Sequence, residues 1–224
     1  MRTEDVKQRR SYENRNRREQ ARHTRRRVIE AARRLFVRDG YASTTIQALA
    51  DDANVAVQTI YASFGSKREV LKELFDTSVA GDDERRPLIE RPEWQAWEDE
   101  PDAWGQVDLF ARAQRTVSER AADIMHVLQA AAASDPDIAR MHEEAERARY
   151  GDQRRLADLL ARHGRLRNGL TRRRAADIIW TLAGPGPYTA LVQHRGWSAR
   201  EYEEWLSAEL RSALIEAVEE GRDR

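Results

Sequence analysis

Residues 57–67, VQTIYASFGSK, bring Gln58, Thr59, Tyr61, Ser63 and Lys67 into one short stretch. These groups suit recognition rather than bond-making. A Gln amide can pair with an adenine edge, a Thr or Ala methyl can touch the thymine methyl, and hydroxyl groups commonly hold phosphates. An ammonium group at a helix start can hold a phosphate together with the backbone N–H groups there. No Ser, His and acid grouping is recognisable, and no pair of the five His residues has the i, i+4 spacing of a helical zinc site.

Three short elements must position these groups. Val28, Ala31, Ala32, Leu35 and Phe36 recur at helical spacing and the run stops at Asp39-Gly40, which predicts a first helix from about Arg22. Thr44 or Thr45 can cap a second helix that buries Ile46, Leu49, Ala50 and Ala53. Asn54 tolerates left-handed backbone and stops it. A third helix, Val57 to Phe64, ends at Gly65, and Ser66 with Glu69 has the spacing that opens a fourth. Two short helices joined by a tight turn, the second bearing polar groups, make a helix-turn-helix at about residues 45–64, whose second helix can enter the major groove of DNA.

The charge distribution points the same way. The formal net charge is zero, yet residues 1–40 carry 14 Arg or Lys against 6 Asp or Glu, and the remainder 25 against 33. A basic end on an acidic body suits a polyanion partner at that end. Residues 1–21 have almost no apolar side chains to bury and are expected to form a flexible basic arm. Arg25, Arg26 and Arg27, with the arginines before them, could follow the phosphate backbone or a narrow minor groove.

The absence of Cys excludes disulfides and thiolate sites. No apolar run is long enough to span a bilayer and the N-terminus lacks a secretory pattern, so a cytoplasmic protein that does not enter membranes is expected. No cofactor is implied.

After the expected DNA-binding domain at 22–80, residues 81–102 read as an acidic, Trp- and Pro-rich connector with room for a short helix. Trp94, Trp97 and Trp104 there suit either an aromatic wall of a ligand cavity or the base of a core. Residues 103–224 read as helices at about 103–119, 120–133, 137–163, 171–183, 186–195 and 198–219. The fold class is therefore all-α, with an N-terminal three-helix DNA-binding domain and a C-terminal helical domain.

At this point the stretch from Val28 to Leu71 resembles the DNA-binding domain of the TetR family of transcriptional regulators. The matching residues are Ala32, Leu35, Phe36, Gly40, Thr44-Thr45-Ile46, Leu49-Ala50, Ala53, Val55, Thr59-Ile60-Tyr61, Phe64 and Lys67 with Val70-Leu71. The resemblance implies that Tyr61 and Lys67 contact phosphates and that Gln47, Gln58, Thr59 and Ser63 lie near DNA. Thr44 and Thr45, at the start of the second helix, join this set. Two positions depart from the family pattern: Asn54 stands where Gly is usual, and Ser63 where His is common. The C-terminal half is similar to the sensor and dimerisation region of such regulators and implies a sensor without naming its ligand.

Large apolar residues on the expected central helices, Phe75, Trp104, Phe110, Met125, Met141 and Trp180, are the candidate effector pocket, which favours an apolar or aromatic effector. Ile178, Ile179 and Leu182 on one helix and Leu206, Leu210 and Leu214 on the last form stripes expected at a four-helix dimer interface; a purely intramolecular core is the alternative. The whole then reads as a homodimeric repressor on a palindromic double-stranded operator, released by a small molecule. A ligand-independent DNA-binding regulator and a helical small-molecule enzyme are the competing readings.

Overall fold

The computed structural model describes residues 2–82 and 88–216, with residues 2–18 and 89 described by their backbone alone. The chain is all-α and divides into two compact units, Met1–Phe75 and Asp76–Arg224.

In the first unit α1 spans Arg2–Asp39. Its buried stripe is Val28, Ala31, Ala32, Leu35 and Phe36, as the spacing requires. The helix runs back unbroken to Arg2, through the stretch expected as a flexible arm. Helix propagation from an already packed turn is easier than nucleation, and the Arg, Glu, Gln and Lys residues there are good helix formers. The α1 helix ends at Gly40, whose φ of +81° suits glycine and whose N–H reaches the Phe36 carbonyl at 3.0 Å.

The next helix, α2 (Ile46–Ala53), is capped by Thr45, whose hydroxyl accepts the Ala48 N–H at 3.0 Å. Asn54 closes it with φ 50° and ψ 55°, and the Val55 N–H returns to the Ala50 carbonyl at 2.9 Å. Asn thus makes the left-handed turn where glycine is usual. It is the only non-glycine residue with positive φ among the described residues. Then come α3 (Val57–Phe64), which buries Ile60 and Phe64, and α4 (Lys67–Ala80), which buries Val70, Leu71 and Leu74. The Ser66 hydroxyl accepts the Glu69 N–H at 3.2 Å to open α4. Each fully buried Val, Leu, Ile or Phe side chain here contributes about 1.5–3 kcal/mol.

The second unit is built around α6 (Ala103–Ala132), which packs against α5 (Pro92–Asp99), α7 (Pro136–Arg162), α9 (Pro185–Tyr188) and α10 (Ala199–Leu214). The remaining helix, α8 (Arg172–Leu182), lies against α7 and α10, and a π-helical turn, Thr189–His194, follows α9.

Three expectations change here. The connector is partly core: Trp94 and Trp97 of α5 are buried and pack edge-on against Phe110, with ring centroids 6.1 and 5.7 Å away. The break expected near residue 119 is absent, because Ser118-Glu119-Arg120 contains no Pro or Gly to interrupt α6. The last helix stops at Leu214 rather than 219, since Ile215 turns extended and pairs with Leu166.

Candidate nucleic-acid interface

The exposed face of α3 presents Gln58, Tyr61 and Ala62, at positions i, i+3 and i+4, on one side of the helix. Tyr61 is 52% exposed, unusual for a large aromatic group with nothing to cover it. Thr59 and Ser63 flank this stripe half-buried, and Ile60 and Phe64 anchor the opposite side. No side chain caps the start of α3 at Ala56, which suits a helix end whose first amides meet an anion. Thr45 and Gln47 are exposed at the start of α2, where the Gln47 amide donates to the Asp51 carboxylate at 2.8 Å.

Three of the expected contact residues are turned inward. Thr44 is 3% exposed, and its hydroxyl donates to the Gly40 carbonyl at 2.9 Å. It pins the loop and has no surface for a phosphate; Thr45 holds the cap. The Arg25 guanidinium pairs with both oxygens of Glu73, donates to the Ser63 carbonyl and lies 4.3 Å over the Phe64 ring. Lys67 donates from Nζ to the Tyr41 and Thr44 carbonyls, both at 2.8 Å, with the ammonium 4.2 Å from the Tyr41 ring centre. Both cations therefore act as ties that hold α3 and the 41–44 loop in place. Arg26 is exposed on α1.

Arg27, which the sequence offers as another arginine for the DNA backbone, is also a tie. Its guanidinium donates to the carbonyls of Ala53 and Asn54, at 2.9 Å for Asn54, and so supplies positive charge where α2 ends. Its place among consecutive arginines concealed that role.

The six residues expected to line a pocket do not share one environment. Phe110 is sealed in the aromatic cluster with Trp94 and Trp97, Met125 packs half-buried on the core, and Met141 and Phe75 are half-buried. Trp104 and Trp180 are exposed at 39% and 37%, stacked beneath the guanidinium groups of Arg211 and Arg149. Large and apolar is no guide to direction, because an arginine can cover an indole at the surface.

The expected dimer stripe is likewise corrected. Ile179, Leu206, Leu210 and Leu214 are fully buried in the protomer's own core and have no surface to offer a partner. Only Ile178 and Leu182 keep partial exposure.

Polar groups missed by the sequence reading lie in that core. Gln114, Ser118, Gln153 and Tyr202 are buried. Gln153 links α7 to the Gln114 amide oxygen at 3.5 Å and to the Ala183 carbonyl at 3.3 Å, and Gln114 donates to Ser118 at 3.4 Å. These are long bonds. Burial pushes the Tyr202 hydroxyl well above the usual tyrosine range, with Ser118 beside it. The legible signal was Gln106, Gln114 and Ser118 interrupting the apolar face of α6 that carries Phe110 and Val117.

Residues 28–74, the stretch that holds this helix-turn-helix and its ties, match the family of bacterial regulatory proteins described as the tetR family. That stretch is a TetR-family DNA-binding domain. A curated relative, the uncharacterized HTH-type transcriptional regulator YvkB of Bacillus subtilis (strain 168), is 31% identical over 76 residues. That alignment covers 34% of this chain and only 39% of YvkB. Among solved structures, NalD of Pseudomonas aeruginosa, described as the secondary repressor of the MexAB-OprM multidrug efflux pump, superposes with a TM-score of 0.68 at 21% identity. It covers 88% of this chain and 99% of NalD. The regulator FadR of Bacillus subtilis, in complex with stearoyl-CoA, gives 0.67 at 19% identity, covering 84% and 97%. At these identities the likeness is one of fold, and it covers residues of both units.

Proposed function

We propose that this chain is a homodimeric repressor in which α3 of each copy reads one half of a palindromic operator, and that a small molecule bound in the second unit releases it. The observation that carries the reading is the outward stripe Gln58, Tyr61 and Ala62 on a helix held in place by the Asn54 turn and the Arg25 and Lys67 ties. In this reading Gln58 contacts base edges, Tyr61, Thr45 and Arg26 hold phosphates, and Gln47, Thr59 and Ser63 border the groove. Two-fold symmetry then sets the two recognition helices about 34 Å apart along the duplex.

Support for repression comes from NalD, which is named a repressor. Support for an effector with a large apolar part comes from FadR, described with stearoyl-CoA. The apolar core of the second unit suits an effector that is mainly apolar or aromatic, and its polar cluster around Gln114 and Gln153, where the Arg149 guanidinium donates to the Gln153 amide oxygen at 3.2 Å, suits one that also carries a hydrogen-bonding group. Release requires that the effector bind the two dimer states unequally. The setting is the cytoplasm, where the operator is reached; among the described residues no helix is long and apolar enough to cross a membrane.

Selection of bound sequences from a random double-stranded pool, followed by titration of the best site at two salt concentrations, tests the reading. A palindromic consensus with a steep salt dependence is expected. Salt-dependent binding with no consensus would sink it.

A further inference from the structure

Residues 161–174, ARHGRLRNGLTRRR, lie in the second unit and contain six arginines and no acidic residue. Arg162, Arg165, Arg167, Arg172, Arg173 and Arg174 are all exposed, as is His163 among them. Among the described residues none of these six arginines has a carboxylate partner. Arginines elsewhere in the same unit mostly do, including Arg91 with Asp82, Arg115 with Glu203, Arg149 with Glu146 and Arg155 with Glu98. Arg167 donates to the Ser212 carbonyl at 3.3 Å, and a run of cations with no carboxylate beside them among the described residues repels itself.

The stretch is also held in place. The Arg165 N–H returns to the Leu160 carbonyl at 2.8 Å, the Arg167 N–H reaches the Leu214 carbonyl at 2.8 Å, and Leu166 pairs with Ile215. Thr171 caps α8 by accepting the Arg174 N–H at 3.3 Å. Three arginines therefore stand in the first turn of α8, which has no acidic residue. That is the helix end where cations are disfavoured and anions favoured. Local charge and helix polarity disagree here, a conflict that a bound polyanion relieves.

We infer that this loop and the start of α8 form a second polyanion-binding surface, and that its partner is the sugar–phosphate backbone of duplex nucleic acid. An acidic protein partner is disfavoured by the make-up of the patch. Protein interfaces are anchored by buried aromatic or apolar side chains. Here Leu166 and Leu170 pack half-buried on the core, and the other exposed residues are Gly164, Asn168, Gly169 and Thr171. Arginine forks match phosphate oxygens two at a time. The two glycines lie in open space, with no atom within 4 Å of where a Cβ would stand, so a phosphate strand can approach the backbone closely. Such a surface lets one molecule hold DNA without using its helix-turn-helix.

The test uses the full chain carrying Gln58→Ala and Tyr61→Ala, which disables base reading and leaves this surface intact. Its binding to a random-sequence duplex is titrated over a range of salt, with and without Arg172→Gln, Arg173→Gln and Arg174→Gln. These exposed changes keep good helix formers and the Thr171 cap, and circular dichroism confirms equal helix content. The expected result is a slope of log K against log salt that is shallower by about 2–3, with about tenfold weaker binding at low salt. An unchanged slope and affinity overturn the inference. So does a poly-glutamate peptide that binds through the same three arginines more tightly than the duplex does.

Discussion

Lys67 and Thr44 hold one loop from both sides. The lysine ammonium takes the Thr44 carbonyl at 2.8 Å, while the Thr44 hydroxyl takes the Gly40 carbonyl at 2.9 Å. Because Thr45 caps α2 one residue later, this lock sets where the helix-turn-helix begins. Lys67→Ala is expected to lower stability by about 1–3 kcal/mol through loss of charge-assisted bonds, and to weaken binding to every duplex alike. Thermal melts and salt titrations check it. Unchanged melting with a salt slope smaller by about one would assign the ammonium to a phosphate instead.

Arg25 joins α1 to α3 and α4 through Glu73, the Ser63 carbonyl and the Phe64 ring. The pair is partly solvated, which keeps its worth modest. Arg25→Ala is expected to cost about 1–2 kcal/mol, and Arg25→Lys to recover little of it, because lysine lacks the two-point fork and the flat face. Denaturant titration of the three proteins decides; full rescue by lysine would show that charge alone matters.

Asn54 occupies the left-handed region that ends α2. Asn54→Gly is expected to leave stability within about 0.5 kcal/mol, whereas Asn54→Ala costs about 1–2 kcal/mol, because alanine keeps the Cβ and loses the short polar side chain that eases left-handed backbone. Equal melting temperatures for Asn54→Ala and the parent would remove the turn from the account of the fold.

Gln58 and Tyr61 are exposed, so their loss leaves the core intact. Gln58→Ala should change which bases are preferred, with about 1–3 kcal/mol less discrimination at one position of each half-site. Tyr61→Phe should weaken all sites similarly. Repeating the sequence selection with each variant separates the roles. An unaltered consensus for Gln58→Ala would move base reading to another residue.

Ser198 and Glu201 close the start of α10 through a reciprocal pair, with the Glu201 carboxylate accepting the Ser198 N–H at 2.7 Å and its hydroxyl at 2.8 Å. Those bonds hold the Glu201 carboxyl below the usual carboxylate range. A depressed folded-state pKa means that the stabilisation is complete above the unfolded value and fades as pH falls through the folded one. Amide-exchange protection in the first turn of α10 should therefore weaken as pH drops from the ordinary glutamate range to below it. In Ser198→Ala, which keeps the backbone N–H bond and loses only the hydroxyl's, that acid dependence should shrink in part, whereas in Glu201→Gln it should be gone.

The sequence by itself determined the elements whose causes are local. The spacing of Val28, Ala32, Leu35 and Phe36, the Thr45 cap, the Asn54 turn and the Gly40 and Gly65 stops each depend on neighbours within about one helical turn. The helix-turn-helix and the outward placement of Gln58 and Tyr61 were legible for that reason. Tertiary structure alone decided which apolar stripe faces which surface. Ile179, Leu206, Leu210 and Leu214 have the pattern of an interface and are fully buried within the protomer, while Trp94 and Trp97, in an acidic Pro-rich stretch, close the core against Phe110. Periodicity says that a side must be covered and leaves open by what. The cations divide in the same way. Arg25, Arg27 and Lys67 are drawn to carbonyls and a carboxylate that lie far away in sequence, and only the folded chain brings those partners within reach of charges that otherwise read as free for DNA.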